Sequence, residues 1–130
     1  MRIVFVCVEN SNRSQMAEAF ARIHGAGKIE AYSAGSRPSG RVNPKATLAM
    51  KELGYDLGMH SSKGLDEFNG KEVDVAVTMG CGDECPYIPG KRYIDWDLED
   101  PAGQPIETVR NTRDEIGRRV RDLEEMLDAR

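Results

Sequence analysis

Apolar residues recur along this chain at two spacings in turn, the short one of strands and the longer one of helices. An apolar strand is read from about residue 2 to 7, and Met16, Ala17, Ala19, Phe20 and Ile23 then supply the apolar stripe of a helix over about 14–25, ended by Gly25 and Gly27. Ile29 to Ser33 predict a second strand, closed by Ala34-Gly35. Asn43-Pro44 starts the next helix, asparagine as cap and proline in the first turn, and the pattern carries it to about Leu53. A short helix is predicted over Gly64 to Phe68, and Val73 to Thr78 is an apolar run of the kind buried in a parallel sheet. Tyr93 and Ile94 mark a last short strand, after which Ile106, Val109, Ile116, Val120, Leu123 and Leu127 describe a long amphipathic helix from about Pro105.

Alternating strands and helices predict an α/β fold, a doubly wound four-stranded parallel sheet with helices on both faces. Residues 1–130 read as a single domain, with no linker, repeat or low-complexity segment between the elements. In such a sheet a ligand binds beyond the carboxyl ends of the strands, where the strand order reverses, and the loop after the first strand falls there.

That loop carries chemistry. Cys7 ends the first strand, Val8, Glu9, Asn10, Ser11 and Asn12 follow it, and Arg13-Ser14 opens the helix. A cysteine before a helix N-terminus meets the positive end of the helix dipole and unpaired backbone N–H groups, and both favour thiolate over thiol. Five residues between Cys7 and Arg13 let the loop curl until its N–H groups converge, with the guanidinium closing the ring around a tetrahedral oxyanion. Residues 8–14 are therefore the candidate oxyanion cradle and Cys7 the nucleophile, with the Ser14 hydroxyl placed to stabilise the thiolate. A buried cysteine is often only a small apolar filler, but here strand, loop and helix supply the setting that the chemistry needs.

The remaining cysteines, Cys81 and Cys85, follow the run Val73 to Thr78, so all three lie at one edge of the sheet. Glycines flank Cys81, which suits a segment that changes its backbone as sulfurs exchange partners. Redox exchange is favoured over zinc ligation, because only His24 and His60 are available as further ligands and neither has a metal-finger spacing; no metal is expected. Asp100, ahead of Pro101, is biased towards an extended or turn conformation and is a candidate general acid, against the plainer reading of a solvated acidic turn. His24 is read as a helix-end surface residue, His60 as a loop residue without a catalytic partner, and Tyr87, Tyr93 and Trp96 as core or rim packing.

Charge and composition narrow the partners. Eighteen basic against twenty-two acidic residues give a net charge of −4 with no basic cluster, so nucleic acid is not expected. The chain begins directly with a strand pattern and has no long charge-free apolar run, so neither signal peptide nor membrane span is read, and a cytoplasmic location is expected. Three cysteines, an odd number in a chain able to fold without staples, point to reactive thiols rather than a disulfide framework.

These motifs resemble the low-molecular-weight protein tyrosine phosphatase superfamily, and within it the arsenate reductase branch. The resemblance runs through Cys7-x5-Arg13-Ser14, Gln15-Met16-Ala17-Glu18, Tyr32-Ser33-Ala34-Gly35, Asn43-Pro44, Thr78 to Pro86 and Asp100-Pro101-Ala102. It implies that Cys7 attacks arsenate, that Cys81 then attacks Cys7 and releases arsenite, and that Cys85 draws the oxidation to a Cys81–Cys85 disulfide. It also implies Asp100 as general acid, Asn10 and Ser14 as supports of the loop, and Ser33 and Glu18 as scaffold. No bound cofactor is implied; a monomer would be regenerated by an external thiol, either thioredoxin or a small thiol such as glutathione or mycothiol. Some members hold potassium through asparagine, glutamate, serine and an aspartate; Asn10, Glu18 and Ser33 match but Lys63 stands in the aspartate's place, and potassium is not predicted. Members commonly carry glycine and cysteine where this chain has Glu9 and Asn12, and a longer gap than Cys81-x3-Cys85. Turned outward Glu9 would tune reductant docking, and turned inward it would weaken oxyanion binding. Two other functions fit the same residues: a phosphatase working through a phosphocysteine, in which Cys81 and Cys85 are dispensable, and a non-catalytic redox-responsive oxyanion-binding module.

Overall fold

A computed structural model describes residues 1–7, 9–25, 28–35, 37, 39–62, 64, 73–79, 90–98, 101 and 103–128, with side chains left aside at 90, 91, 127 and 128. Four strands form one parallel sheet: β1 (Arg2–Cys7), β2 (Glu30–Gly35), β3 (Val73–Thr78) and β4 (Gly90–Asp95), in the order β2-β1-β3-β4. The chain steps from β1 to β2 on one side and returns to β3 on the other, so the strand order reverses beside β1. The loop after Cys7 lies at that reversal, as expected.

Period-2 alternation splits β1 between two buried clusters. Ile3, Phe5 and Cys7 join the larger one, while Val4 and Val6 join Ala34, Val73 and Ala76 in the smaller. Helices α1 (Arg13–His24), α2 (Pro44–Lys51) and α3 (Ile106–Asp128) all send side chains into the larger cluster, among them Met16, Phe20, Ala46, Met50, Val109, Ile116 and Val120. Met16, Ala17, Ala19 and Phe20 of the first predicted stripe and Val109, Ile116, Val120 and Leu123 of the last face one core, whereas Ile23, predicted to join them, is exposed at the end of α1. The strand residues of the smaller cluster are equally buried. The short helix expected over 64–68 falls, from residue 65 onward, outside the described residues; Gly64 itself makes a parallel bridge to Gly35.

The element ends differ from expectation for local reasons. β2 extends through Ala34-Gly35 because Gly35 pairs with Cys7 across the ladder. α2 stops at Lys51, since Leu53 and Gly54 donate back to Met50 and Lys51 and Gly54 takes φ +85°, which closes a turn. Asn43 caps α2 as expected, its side chain accepting from the Lys45 N–H at 2.9 Å. A short 3₁₀ turn at Leu57–Met59, unannounced by any apolar period, follows with Asp56 accepting from the Gly58 N–H. Trp96 is buried against Phe5 with ring centroids 5.9 Å apart, whereas Tyr93 is exposed. Among the described residues no helix is long and apolar enough to cross a membrane.

Candidate active site

Cys7 is buried at the carboxyl end of β1, with its Sγ 2.9 Å from the Ser14 Oγ on the first turn of α1. Asn10 donates from Nδ2 to that same hydroxyl at 2.8 Å. Asn10 holds φ +50°, a left-handed conformation that asparagine tolerates better than most residues and that turns the loop back on itself.

The loop is gripped through its carbonyls. Glu9 O accepts from the Ser39 N–H at 3.0 Å and the Ser62 hydroxyl at 2.9 Å, Asn10 O from Gln15 Nε2 at 3.0 Å, Ser11 O from the Asn43 N–H at 2.8 Å, and Asn12 O from the Met16 N–H at 3.0 Å. In a trans peptide the N–H points opposite to the carbonyl of the same plane, and no cis bond occurs among the described residues. Each carbonyl so held turns the next residue's N–H, at Asn10, Ser11, Asn12 and Arg13, away from that carbonyl's partner. That is the arrangement an anion-binding cradle needs. Asn12, at the cap position of α1, makes no side-chain cap hydrogen bond, and its amide is buried without a hydrogen-bond partner among the described residues.

Arg13 is 4% exposed, and its position is set from far along the chain. Its Nη1 donates to Met79 O, just past β3, and to Leu98 O at 2.9 Å, past β4. With both Nη1 hydrogens committed to carbonyls, the plane of the guanidinium is fixed against the loop. Glu9 is exposed, which removes the prospect of a carboxylate inside the cradle and leaves its charge at the rim.

Beneath the loop lies a polar cluster that sequence reasoning undervalued. Gln15 is fully buried; its Nε2 also donates to Asn10 Oδ1 at 3.1 Å and to Ser61 O at 2.9 Å. His60, expected to be a loop residue without a catalytic partner, has a side chain only 4% exposed, its Nδ1 2.9 Å from Gln15 Oε1 and its Nε2 2.7 Å from the Tyr55 hydroxyl. The 3₁₀ turn swings His60 under α1, a placement that no local pattern encodes. Glu18 accepts from the Ser33 hydroxyl at 2.6 Å and from Arg22 Nε at 2.9 Å, and ties α1 to β2 as scaffold. Burial raises the Tyr55 phenol above its ordinary value, so its proton is retained at neutral pH.

The structure brings together Cys7, Asn10, Ser11, Asn12, Arg13 and Ser14, and places Glu9 at the edge. Val8, Lys63, Cys81, Cys85, Tyr87 and Asp100 lie outside the described residues. Among the described residues no group of three or more His, Cys, Asp or Glu side chains is placed to hold a metal ion. The assembled groups offer a buried thiol with a hydroxyl partner, beneath a loop that can receive a tetrahedral oxyanion.

The family model of low molecular weight phosphotyrosine protein phosphatases matches residues 2–130. The glutaredoxin arsenate reductase of Synechocystis sp. is 42% identical over 125 residues, covering 94% of this chain and 95% of its own. A solved arsenate reductase in the phosphate binding state superposes with a TM-score of 0.85 at 41% identity, covering 94% of this chain and 95% of its own. The Corynebacterium glutamicum thioredoxin-dependent arsenate reductase gives a TM-score of 0.82 at 34% identity, over 98% of this chain and 62% of its own.

Proposed function

The chain belongs to the low molecular weight phosphotyrosine protein phosphatase family, and from that premise we propose that it reduces arsenate to arsenite, with Cys7 as nucleophile and an external thiol as electron donor. The observation that carries the reading is Cys7 under the gripped loop, its Sγ against Ser14, with Arg13 clamped to the carbonyls of Met79 and Leu98. Cys81 and Asp100 each follow one of those anchor residues by two positions in the chain.

In the proposed reaction the Cys7 thiolate attacks arsenic and an oxygen leaves as water, protonated by Asp100, so that an S–As bond forms and an As–O bond breaks. Backbone N–H groups of the loop and Arg13 stabilise the oxyanion charge. Cys81, as thiolate, attacks the Cys7 sulfur; the S–S bond forms, the S–As bond breaks, and its electron pair stays on arsenic, which departs as arsenite. Cys85 displaces Cys7 from Cys81, and the resulting Cys81–Cys85 disulfide accepts two electrons from the external thiol. A dithiol of the thioredoxin or glutaredoxin type fits that last step, as the names of the two relatives suggest, and a small thiol is the other donor class. The same proposal places the enzyme in the cytoplasm as a monomer, where thiols are kept reduced.

The test is a free-thiol count on the reduced protein after one exposure to arsenate without reductant, with phosphate as control. Loss of two of its three thiols, mapped to Cys81 and Cys85, is the expected result. Survival of all three thiols together with hydrolysis of an aryl phosphate would overturn it in favour of a phosphatase, the second reading that the family itself supports. Cys81→Ala separates the two, since a phosphatase keeps its turnover and a reductase loses it.

A further inference from the structure

Tyr55, His60, Gln15, Asn10, Ser14 and Cys7 form one line of hydrogen bonds, and the chemistry of its members dictates its direction. Gln15 Nε2 faces two backbone carbonyls, Asn10 O and Ser61 O, which can only accept. That end of the amide is therefore the NH₂, and Oε1 is the end turned to His60 Nδ1. Nδ1 must then carry the imidazole hydrogen, a choice that the Glu18 carboxylate, 3.5 Å away, also favours. In its neutral form, with the hydrogen on Nδ1, His60 has Nε2 as acceptor, and the Tyr55 O–H donates to it. At the other end, the Gln15 NH₂ requires Asn10 to present Oδ1, which leaves the Asn10 Nδ2 to donate to Ser14 Oγ. The hydroxyl hydrogen of Ser14 is then directed at sulfur. From His60 Nδ1 onward every donor in the line points towards Cys7, and with His60 neutral so does the Tyr55 O–H.

We propose that His60 and Tyr55 are positioning residues for the Cys7 thiolate: they act through Gln15, Asn10 and Ser14 and hold the one donor pattern that ends on a negative sulfur. Donors aligned head to tail polarise one another, so a proton fixed at Tyr55 strengthens the last bond of the line. Tyr55 sits edge-on to the imidazole, ring centroids 5.5 Å apart at 87°, which holds the phenol at Nε2. Among the described residues, Glu18 lies against His60 and Arg22 lines the same cavity, both from α1. The inference rests on Cys7 as nucleophile but not on which oxyanion it attacks.

The experiment alkylates the reduced full-length protein with iodoacetamide across a pH series and reads the Cys7 peptide by mass spectrometry. Asparagine places an amide nitrogen where His60 has Nδ1, and glutamine places one where it has Nε2. His60→Asn, which keeps the donor to Gln15 but removes the acceptor of the Tyr55 O–H, is expected to lower the rate below neutral pH only about twofold, as Tyr55→Phe does, while His60→Gln raises the pH midpoint further and lowers that rate about threefold or more. Tyr55→Phe, which keeps the ring and loses only the O–H, is expected to lower that rate about twofold. Equal profiles for both His60 variants, or glutamine preserving what asparagine loses, would overturn the relay and leave His60 as packing. Should both His60 variants fail to fold, Tyr55→Phe decides, and an unchanged midpoint there overturns the proposal. Native Cys7 reacting no faster than an ordinary thiol would instead remove the nucleophile, a failure distinct from that of the relay.

Discussion

Two regions of this molecule are dense in polar contacts, the head of α1 and the outer face of α3, and they differ in what those contacts can do. On α3, Arg110 forks onto Glu52 with Nε and Nη2, the latter at 2.7 Å, while Arg113 reaches the same carboxylate at 2.8 Å and the Ala49 carbonyl at 3.0 Å. Glu115 takes Arg118 and Arg119 one turn further on. Most of these groups are a third or more exposed, where solvent screens each pair and long side chains lose entropy in holding it. At the head of α1 the partners are buried, neutral groups outnumber charges, and the donors run in one direction. A tally of hydrogen bonds would rank the regions alike; burial and direction mark one of them as a site.

The two regions differ most at Arg13. Replacing it with lysine keeps the charge but loses the planar fork, and kcat/KM for arsenate in the presence of a thiol donor is expected to fall about 10²–10³-fold. A variant within tenfold of the native enzyme would show that the buried end does not depend on its geometry. Next in size is Glu18→Gln, which weakens bonds to Ser33 and Arg22 inside the fold. It is expected to cost about 1–3 kcal/mol in urea unfolding with the denaturant slope unchanged. A cost indistinguishable from that of Glu115→Gln on α3 would erase the contrast between the regions.

The smallest effect belongs to Glu52→Gln. Hydrogen bonds from Arg110, and then from Arg113, hold the Glu52 carboxyl below the ordinary glutamate range. A group lowered on folding adds stability above its unfolded value and loses it as pH falls through the folded one. Native protein and variant should therefore differ slightly at neutral pH and converge on acidification. Thermal melts at the two pH values check this, and a gap that widens in acid would reverse the sign.

Much of the fold could be read along the chain because its signals are local. Asn43-Pro44 caps a helix wherever it is placed, and the apolar stripes of α1 and α3 bury one face each. The short segments were harder. The 3₁₀ turn at Leu57–Met59 has no period to detect, and β2 runs on to Gly35 only because β1 and Gly64 pair with it there. In the site, Cys7, Arg13 and Ser14 were legible from spacing, whereas His60, 45 residues from Gln15, carries no mark of its partner.

That a cysteine ends a buried strand and meets the first turn of a helix is legible in the chain alone, because strand, loop and helix are encoded by neighbouring residues. How the loop is held depends on long-range packing. Its outer carbonyls are taken by donors from residues 39–43 and from Ser62, its arginine by carbonyls beyond β3 and β4, and its glutamine by Ser61 and His60. Those partners meet because a parallel sheet gathers the carboxyl ends of all its strands at one edge, so that residues far apart in the chain become neighbours there.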